Sequence, residues 1–245
     1  FTLLDNLDTS NDHVQQANKT PPKAKTPSLK IKSIDANSLV SDNKYAALCE
    51  ILKNHNPDIL TVCETKLDNT ISDSAVLPQD SGYEIVVRKD NKQGAGGVLI
   101  AVRNTLIASP VNDINTNCEI AWIRVEVKGR KPLYIASFYI SPSNDDPEVI
   151  NKLHESVAKL TCRNDNALEN IIINGYFNTP DIIWDVMTVR SNPNYPLKLN
   201  NTMIDFVNAN FLTQLVDKPT RFNNMLDLVL TRTHILCPTL ISTQE

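Results

Sequence analysis

The pattern of apolar and polar positions changes near residue 29. Residues 1–28 are mostly Asn, Asp, Gln, Thr, Lys and Pro, and their few apolar residues follow no amphipathic period, which predicts a flexible, solvated leader. From Leu29 onward, apolar runs alternate with polar turns. LKIKSID reads as a first strand, and NKYAALCEILKNH places Tyr45, Leu48, Ile51 and Leu52 on one helical face before Asn56-Pro57 ends it. DILTVCE reads as a buried strand ending on Glu64, followed by the strands YEIVVR and GGVLIAV. EIAWIRVEV and PLYIASFYI flank the polar turn Lys128-Gly129-Arg130-Lys131 and predict a hairpin.

Beyond the hairpin, Asp146 caps a helix with Pro147 at its first position, and Val149, Ile150, Leu153, Val157 and Leu160 form its inner stripe. IIING is the next strand. An irregular Asn- and Pro-rich connection then leads to a short helix around MIDFVNA, a short strand TQLV and a last strand LDLVLT. Hairpins mixed with strand-helix-strand units predict an α/β fold with mixed sheets.

Bulk properties narrow the class. A chain of 245 residues, 41% hydrophobic and 21% charged, fits one globular domain over residues 29–245 with room for a real core. No apolar run approaches the roughly 18 residues of a spanning helix, so no membrane partner is expected. Phe1 opens a segment without signal-peptide blocks, and with no initiator methionine the chain reads as a fragment. Five cysteines at scattered spacings form neither a disulfide framework nor a zinc motif and read as reduced intracellular thiols. A net charge of -4 gives no global basic field, so contact with nucleic acid must come from local patches.

Polar groups gather at predicted strand ends: Asp35, Glu64, Tyr139 and Asn178, with Tyr176 two residues before Asn178 and on the same side of an extended chain. Together they suggest one pocket. Singly, Glu64 also suits a turn cap, Tyr139 a half-buried interface tyrosine and Asn178 an Asx-turn before Pro180. His13, His55 and His154 share no turn and offer no alternative metal site. The Lys128–Lys131 turn is basic enough to meet phosphate, although hairpin tips are ordinarily solvated.

The ordered series SIDANSL, NPDILTVCETKL, Gly82-Tyr83, GAGGVLIAV, the E-x-x-W of Glu119 to Trp122, SFYISPS, IIINGYFNTPDIIWD and VDKPTRFNNMLDLVLT resembles the endonuclease/exonuclease/phosphatase superfamily. Within it, the resemblance is to the endonuclease domain of non-LTR (LINE-type) retrotransposons, and it spans about Leu29 to Thr231. It implies a four-layered α/β sandwich, two mixed β-sheets face to face with helices outside, that cleaves phosphodiester bonds of DNA with Mg²⁺. Matched by position, it gives Glu64 the metal, Tyr139 the scissile phosphate, Asn178 the asparagine of a G-D-x-N motif and Asp227 a supporting role. It further implies a nuclear protein and a reverse-transcriptase domain in a continuation of the chain.

Three departures from the family pattern stand out. Position 176 holds Tyr176 where the family has an aspartate that positions and deprotonates the attacking water; a phenol with an ordinary pKa near 10 stays protonated and fills the water's place. Position 35 holds Asp35 where asparagine is usual. The terminal S-D-H motif is missing, and His234 follows LDLVLT too closely to replace it. One cause, a decayed or truncated element, accounts for all three and implies lost or severely reduced turnover. Two other readings stay open: an active phosphoesterase of the superfamily on another ester, and a non-catalytic nucleic-acid-binding module.

Overall fold

The mixture of hairpins and crossovers resolves, in a computed structural model, into two large sheets and a separate two-stranded ladder that pairs Ile182–Ile183 with Thr188–Val189. Residues 29–77, 79–91, 95–163, 170–233 and 239–242 are described; the leader and His234 lie outside them. In chain order the elements are β1 (Lys30–Asp35), α1 (Asp42–His55), β2 (Ile59–Cys63), α2 (Asp73–Val76), β3 (Tyr83–Lys89), β4 (Val98–Arg103), β5 (Ala108–Pro110), β6 (Glu119–Val125), β7 (Leu133–Tyr139), α3 (Glu148–Thr161), β8 (Asn170–Tyr176), β9 (Ile182–Ile183), β10 (Thr188–Val189), α4 (Leu197–Ala209), β11 (Thr213–Gln214), β12 (Asp227–Thr233) and β13 (Thr239–Ser242). Sheet one has the order β13-β1-β2-β4-β3 and sheet two the order β11-β12-β8-β7-β6-β5. Each sheet contains parallel and antiparallel pairs, as the alternation of hairpins and crossovers predicts.

Side-chain alternation along the strands builds the layers. Ile31, Ile59, Ile100 and Val102 of sheet one pack against Ile123, Val125, Ile135, Ile172 and Val229 of sheet two. The outer face of sheet one meets α1 through Leu48 and Leu52, against Leu60, Val62 and Leu99. The outer face of sheet two carries Trp122, Tyr134, Phe138, Ile171 and Ile173 under α3 and α4. All five apolar residues predicted to face inward from α3 are buried. Each contributes about 1.5–3 kcal/mol by burial, which holds the helix more firmly than its intrinsic propensity does. Asp146 Oδ1 accepts the Glu148 N–H at 2.9 Å, the predicted capping contact.

The predicted hairpin forms, with Val125 opposite Leu133 at its turn end and Glu119 opposite Tyr139 at the other. The basic Lys128–Lys131 turn therefore lies at the far end of the pair from Tyr139, about 20 Å away at roughly 3.3 Å per residue. Its geometry offers nothing to a site built around Tyr139. β8 also runs further than IIING and includes Tyr176. Gly175 permits this: a Cβ there would lie 1.9 Å from the Phe138 carbonyl oxygen, and its φ of +141° suits glycine.

Candidate active site

Glu119, Tyr139, Tyr176 and Asp227 are successive register partners on β6, β7, β8 and β12, and so form one row across sheet two. Each sits two or four residues from an inter-sheet core position on its own strand: Ile123 to Glu119, Ile135 to Tyr139, Ile172 to Tyr176 and Val229 to Asp227. The period of two aims all four between the sheets, at the end where β7 and β8 finish and β6 and β12 begin. On sheet one, Asp35 ends β1 by the same count from Ile31 and pairs with Cys63, so Glu64 lies one residue beyond the ladder.

The Glu64 and Asp227 carboxyls are close enough for their charges to act on Asp35. Burial, and next the Glu64 charge, push the Asp35 carboxyl up to about 6, although it accepts the Asn37 N–H at 3.2 Å. Burial raises Asp227 too, against the opposing pull of the Thr220 hydroxyl; Thr220 Oγ1 in turn accepts the N–H groups of Leu226 and Asp227, both at 3.0 Å. The Tyr139 phenol is raised by burial and by the charges of Glu64, Glu119 and Asp35, so it stays a neutral hydrogen-bond donor at physiological pH.

Tyr176 is 3% exposed and packs against Tyr139 with ring centroids 6.0 Å apart, among Cys63, Val98, Ala121 and Leu226. Burial raises its phenol, while a hydrogen bond from the Arg221 guanidinium opposes the shift. Arg221 feels the charges of Asp35 and Glu64 as well. A second cation serves the other side: Lys66 Nζ lies 3.1 Å from Glu64 Oε1 and donates to Asn37 Oδ1 at 2.8 Å. The cleft thus gathers four carboxyls and two phenols, with Lys66 and Arg221 as partial counter-charges.

Five of the six sequence candidates, Asp35, Glu64, Tyr139, Tyr176 and Asp227, share this electrostatic neighbourhood. Asn178 is buried beside it with a left-handed φ of 50°, and its amide nitrogen donates to the Tyr195 hydroxyl at 2.9 Å rather than to a carboxyl of the row. Glu119, Lys66, Arg221 and Tyr195 were not singled out from the sequence. The E-x-x-W and P-T-R strings contained two of them, but only register and loop path show where these side chains point. The groove between β10 and α4, lined by Met187, Val189, Leu197 and Ile204, shares no residue with the row. Among the described residues, no cluster of three His, Cys, Asp or Glu side chains forms a ready metal cage, and no helix is long and apolar enough to cross a membrane.

Residues 133–245 match the protein family described as "Endonuclease-reverse transcriptase". Among solved structures, the chain is similar to the endonuclease domain of TRAS1, a telomere-specific non-LTR retrotransposon, at 15% identity, covering 84% of this chain and 85% of that one with a TM-score of 0.60. It is similar to the AP endonuclease LMAP from Leishmania major at 13% identity, covering 82% and 77%, TM-score 0.60. A third likeness is to the 3′ phosphatase NExo from Neisseria bound to a product DNA hairpin, at 18% identity, covering 83% and 86%, TM-score 0.52. No curated protein sequence matches the chain.

Proposed function

We propose, from the match of residues 133–245 to the endonuclease-reverse transcriptase family and from the endonuclease/exonuclease/phosphatase fold of the chain, that it is the DNA-nicking endonuclease domain of a retrotransposon-derived protein whose turnover is strongly impaired. The observation that carries the impairment is the place of Tyr176. It stands between Tyr139 and Asp227 in the row, with its phenol buried and bonded by Arg221. A neutral phenol there neither deprotonates water nor leaves room for one.

The donor set fits a hard divalent cation. The Asp35 carboxyl is raised first by burial and next by the Glu64 charge, and a cation beside the two carboxyls would oppose both effects. One or two carboxylates completed by water is how Mg²⁺ is usually held, so the lack of a three-residue cage among the described residues is compatible with it. Glu64 would be the principal ligand, with Asp35 beside it. A magnesium ion bound there supplies Lewis-acid polarisation of a phosphoryl oxygen.

This chain's own groups supply the rest. Tyr139, held neutral, donates a hydrogen bond to a phosphate oxygen, and the Arg221 guanidinium offers a phosphate the charge it now turns on Tyr176. Likeness to a retrotransposon endonuclease and to a phosphatase bound to DNA supports DNA as the substrate class. The family description supports a reverse-transcriptase domain as the working partner, and the nucleus is the proposed place of action. The buried phenol also favours a second reading, a module that holds DNA without cutting it.

Supercoiled plasmid in Mg²⁺ tests the proposal. The chain is expected to nick no faster than its Glu64→Ala variant while still retarding DNA in a gel. Nicking well above that control overturns the impairment, and release of phosphate from small esters without DNA affinity transfers the chain to another phosphoesterase class.

A further inference from the structure

Glu64 and Lys66 both have left-handed backbones, with φ of 54° and 53°, although neither is glycine. Such residues persist only where their surroundings over-determine them. Two contacts come from sheet one's own loop, where Ser38 N–H donates to the Glu64 carbonyl and Leu39 N–H to the Thr65 carbonyl, both at 2.8 Å. Two more come from the turn before β4. Thr65 N–H donates to the Gly97 carbonyl at 3.2 Å and Lys66 N–H to the Gly96 carbonyl at 2.7 Å.

That turn is itself held from the other sheet. The Gly97 N–H donates to Glu119 Oε2, and Asn91 Nδ2 donates to Glu119 Oε1 at 3.0 Å. Both glycines have positive φ, and a Cβ on Gly96 would lie 2.3 Å from the Glu119 carboxylate, so the turn is pressed onto that side chain. Glu119 is a row member from sheet two, and its contacts run through Gly97 to the segment that carries Glu64 on sheet one.

We infer that Glu119 is a positioning residue: its carboxylate fixes the Gly96-Gly97 turn, and the turn fixes the backbone that aims Glu64 into the cleft. The inference deepens the proposed function and rests on it only for the consequence to the cation. Glu119 reaches Glu64 through two backbone hydrogen bonds and one side-chain acceptor. The geometry requires an oxygen at that reach, with no need for a second negative charge.

Three variants separate positioning from mere structure. Glu119→Ala removes the acceptor, Glu119→Asp keeps the charge but falls one methylene short, and Glu119→Gln keeps an oxygen in place with an amide that Asn91 can match by turning its own. Amide hydrogen exchange in the cation-free protein is the first readout. Glu119→Ala and Glu119→Asp should exchange Gly97, Thr65 and Lys66 about tenfold faster or more while the central amides of β6 and β7 keep their protection, and Glu119→Gln should stay close to the parent. Mn²⁺ titration is the second, with affinity about tenfold weaker in Glu119→Ala and no further loss when that change is added to Glu64→Ala.

If Glu119→Ala fails to fold, Glu119→Asp carries the same comparison. Unchanged exchange at the three amides, or acceleration spread equally over β6 and β7, overturns the inference. Local acceleration in the variants, together with a parent that binds no Mn²⁺, upholds the positioning and overturns the metal-dependent reading instead.

Discussion

Tyr176 and Asp227 are register partners across the β8–β12 ladder, which sets a buried phenol directly beside a carboxyl whose own pKa is raised by burial. Replacing Tyr176 by aspartate therefore inserts another carboxylate into a crowded acidic row. Without a divalent cation, Tyr176→Asp is expected to lower stability at neutral pH by about 2–4 kcal/mol through lost packing and like-charge repulsion. Mg²⁺ should recover part of that loss. Urea unfolding in EDTA and in Mg²⁺ measures both, and equal losses would place position 176 outside the cation's field.

Asp35 gives the protein a pH dependence of known sign. Its carboxyl stands at about 6 in the folded chain against an ordinary 3.8, so folding favours the protonated form. The stability it contributes is complete below about pH 4 and is lost as pH rises through about 6. Asp35→Asn removes that loss. Measured in EDTA, the variant should gain about 1 kcal/mol on the parent between about pH 4 and pH 7, a figure reduced for the partial exposure of the site. A gain in the opposite direction would show Asp35 to be ionised at low pH.

Lys66 and Glu64 make opposite predictions for a cation. Glu64→Ala removes the principal oxygen donor and should weaken Mg²⁺ binding markedly in calorimetric titration. Lys66→Met removes an ammonium 3.1 Å from that donor, and should tighten binding by about threefold, the scale of a partly exposed ion pair. Weaker binding in Lys66→Met would show that the ammonium orients Glu64 more than it competes.

Gly175 is the most exacting backbone position on the row's strands. A methyl there meets the Phe138 carbonyl oxygen at 1.9 Å, and backbone cannot step aside as a side chain does. Gly175→Ala is expected to cost more than about 3 kcal/mol, with loss of the β7–β8 register and of the Tyr139–Tyr176 contact. Thermal unfolding and near-ultraviolet circular dichroism report the two effects separately.

Periodicity along the chain was enough to identify most strands, the inward stripe of α3 and the β6–β7 hairpin, because these follow from contacts close in sequence and from alternation on a pleat. It missed β5, β9, β10 and β13, whose two to four residues carry too little pattern. It also began the α4 helix too late: the helix starts at Leu197, where the Asn- and Pro-rich connection obscures the first turn. The positions of Asp35, Glu64 and Tyr139 at or next to strand ends could be read in advance for the same local reason, whereas Asn178 lies two residues beyond β8, which ends on Tyr176.

What the sequence by itself determined is which residues stand at the ends of strands and which face of each strand they share, since both depend on a period of two counted from apolar neighbours. Only the tertiary structure decided that Glu119 reaches Gly97 of the opposite sheet, that Arg221 bonds Tyr176, that Asn178 turns to Tyr195, and that Asp35 holds its proton up to about 6. Those four relations join residues from 17 to 45 positions apart, or depend on how far water is excluded. Sheet order and loop path set such distances and burial sets the dielectric, and neither is carried by a local pattern.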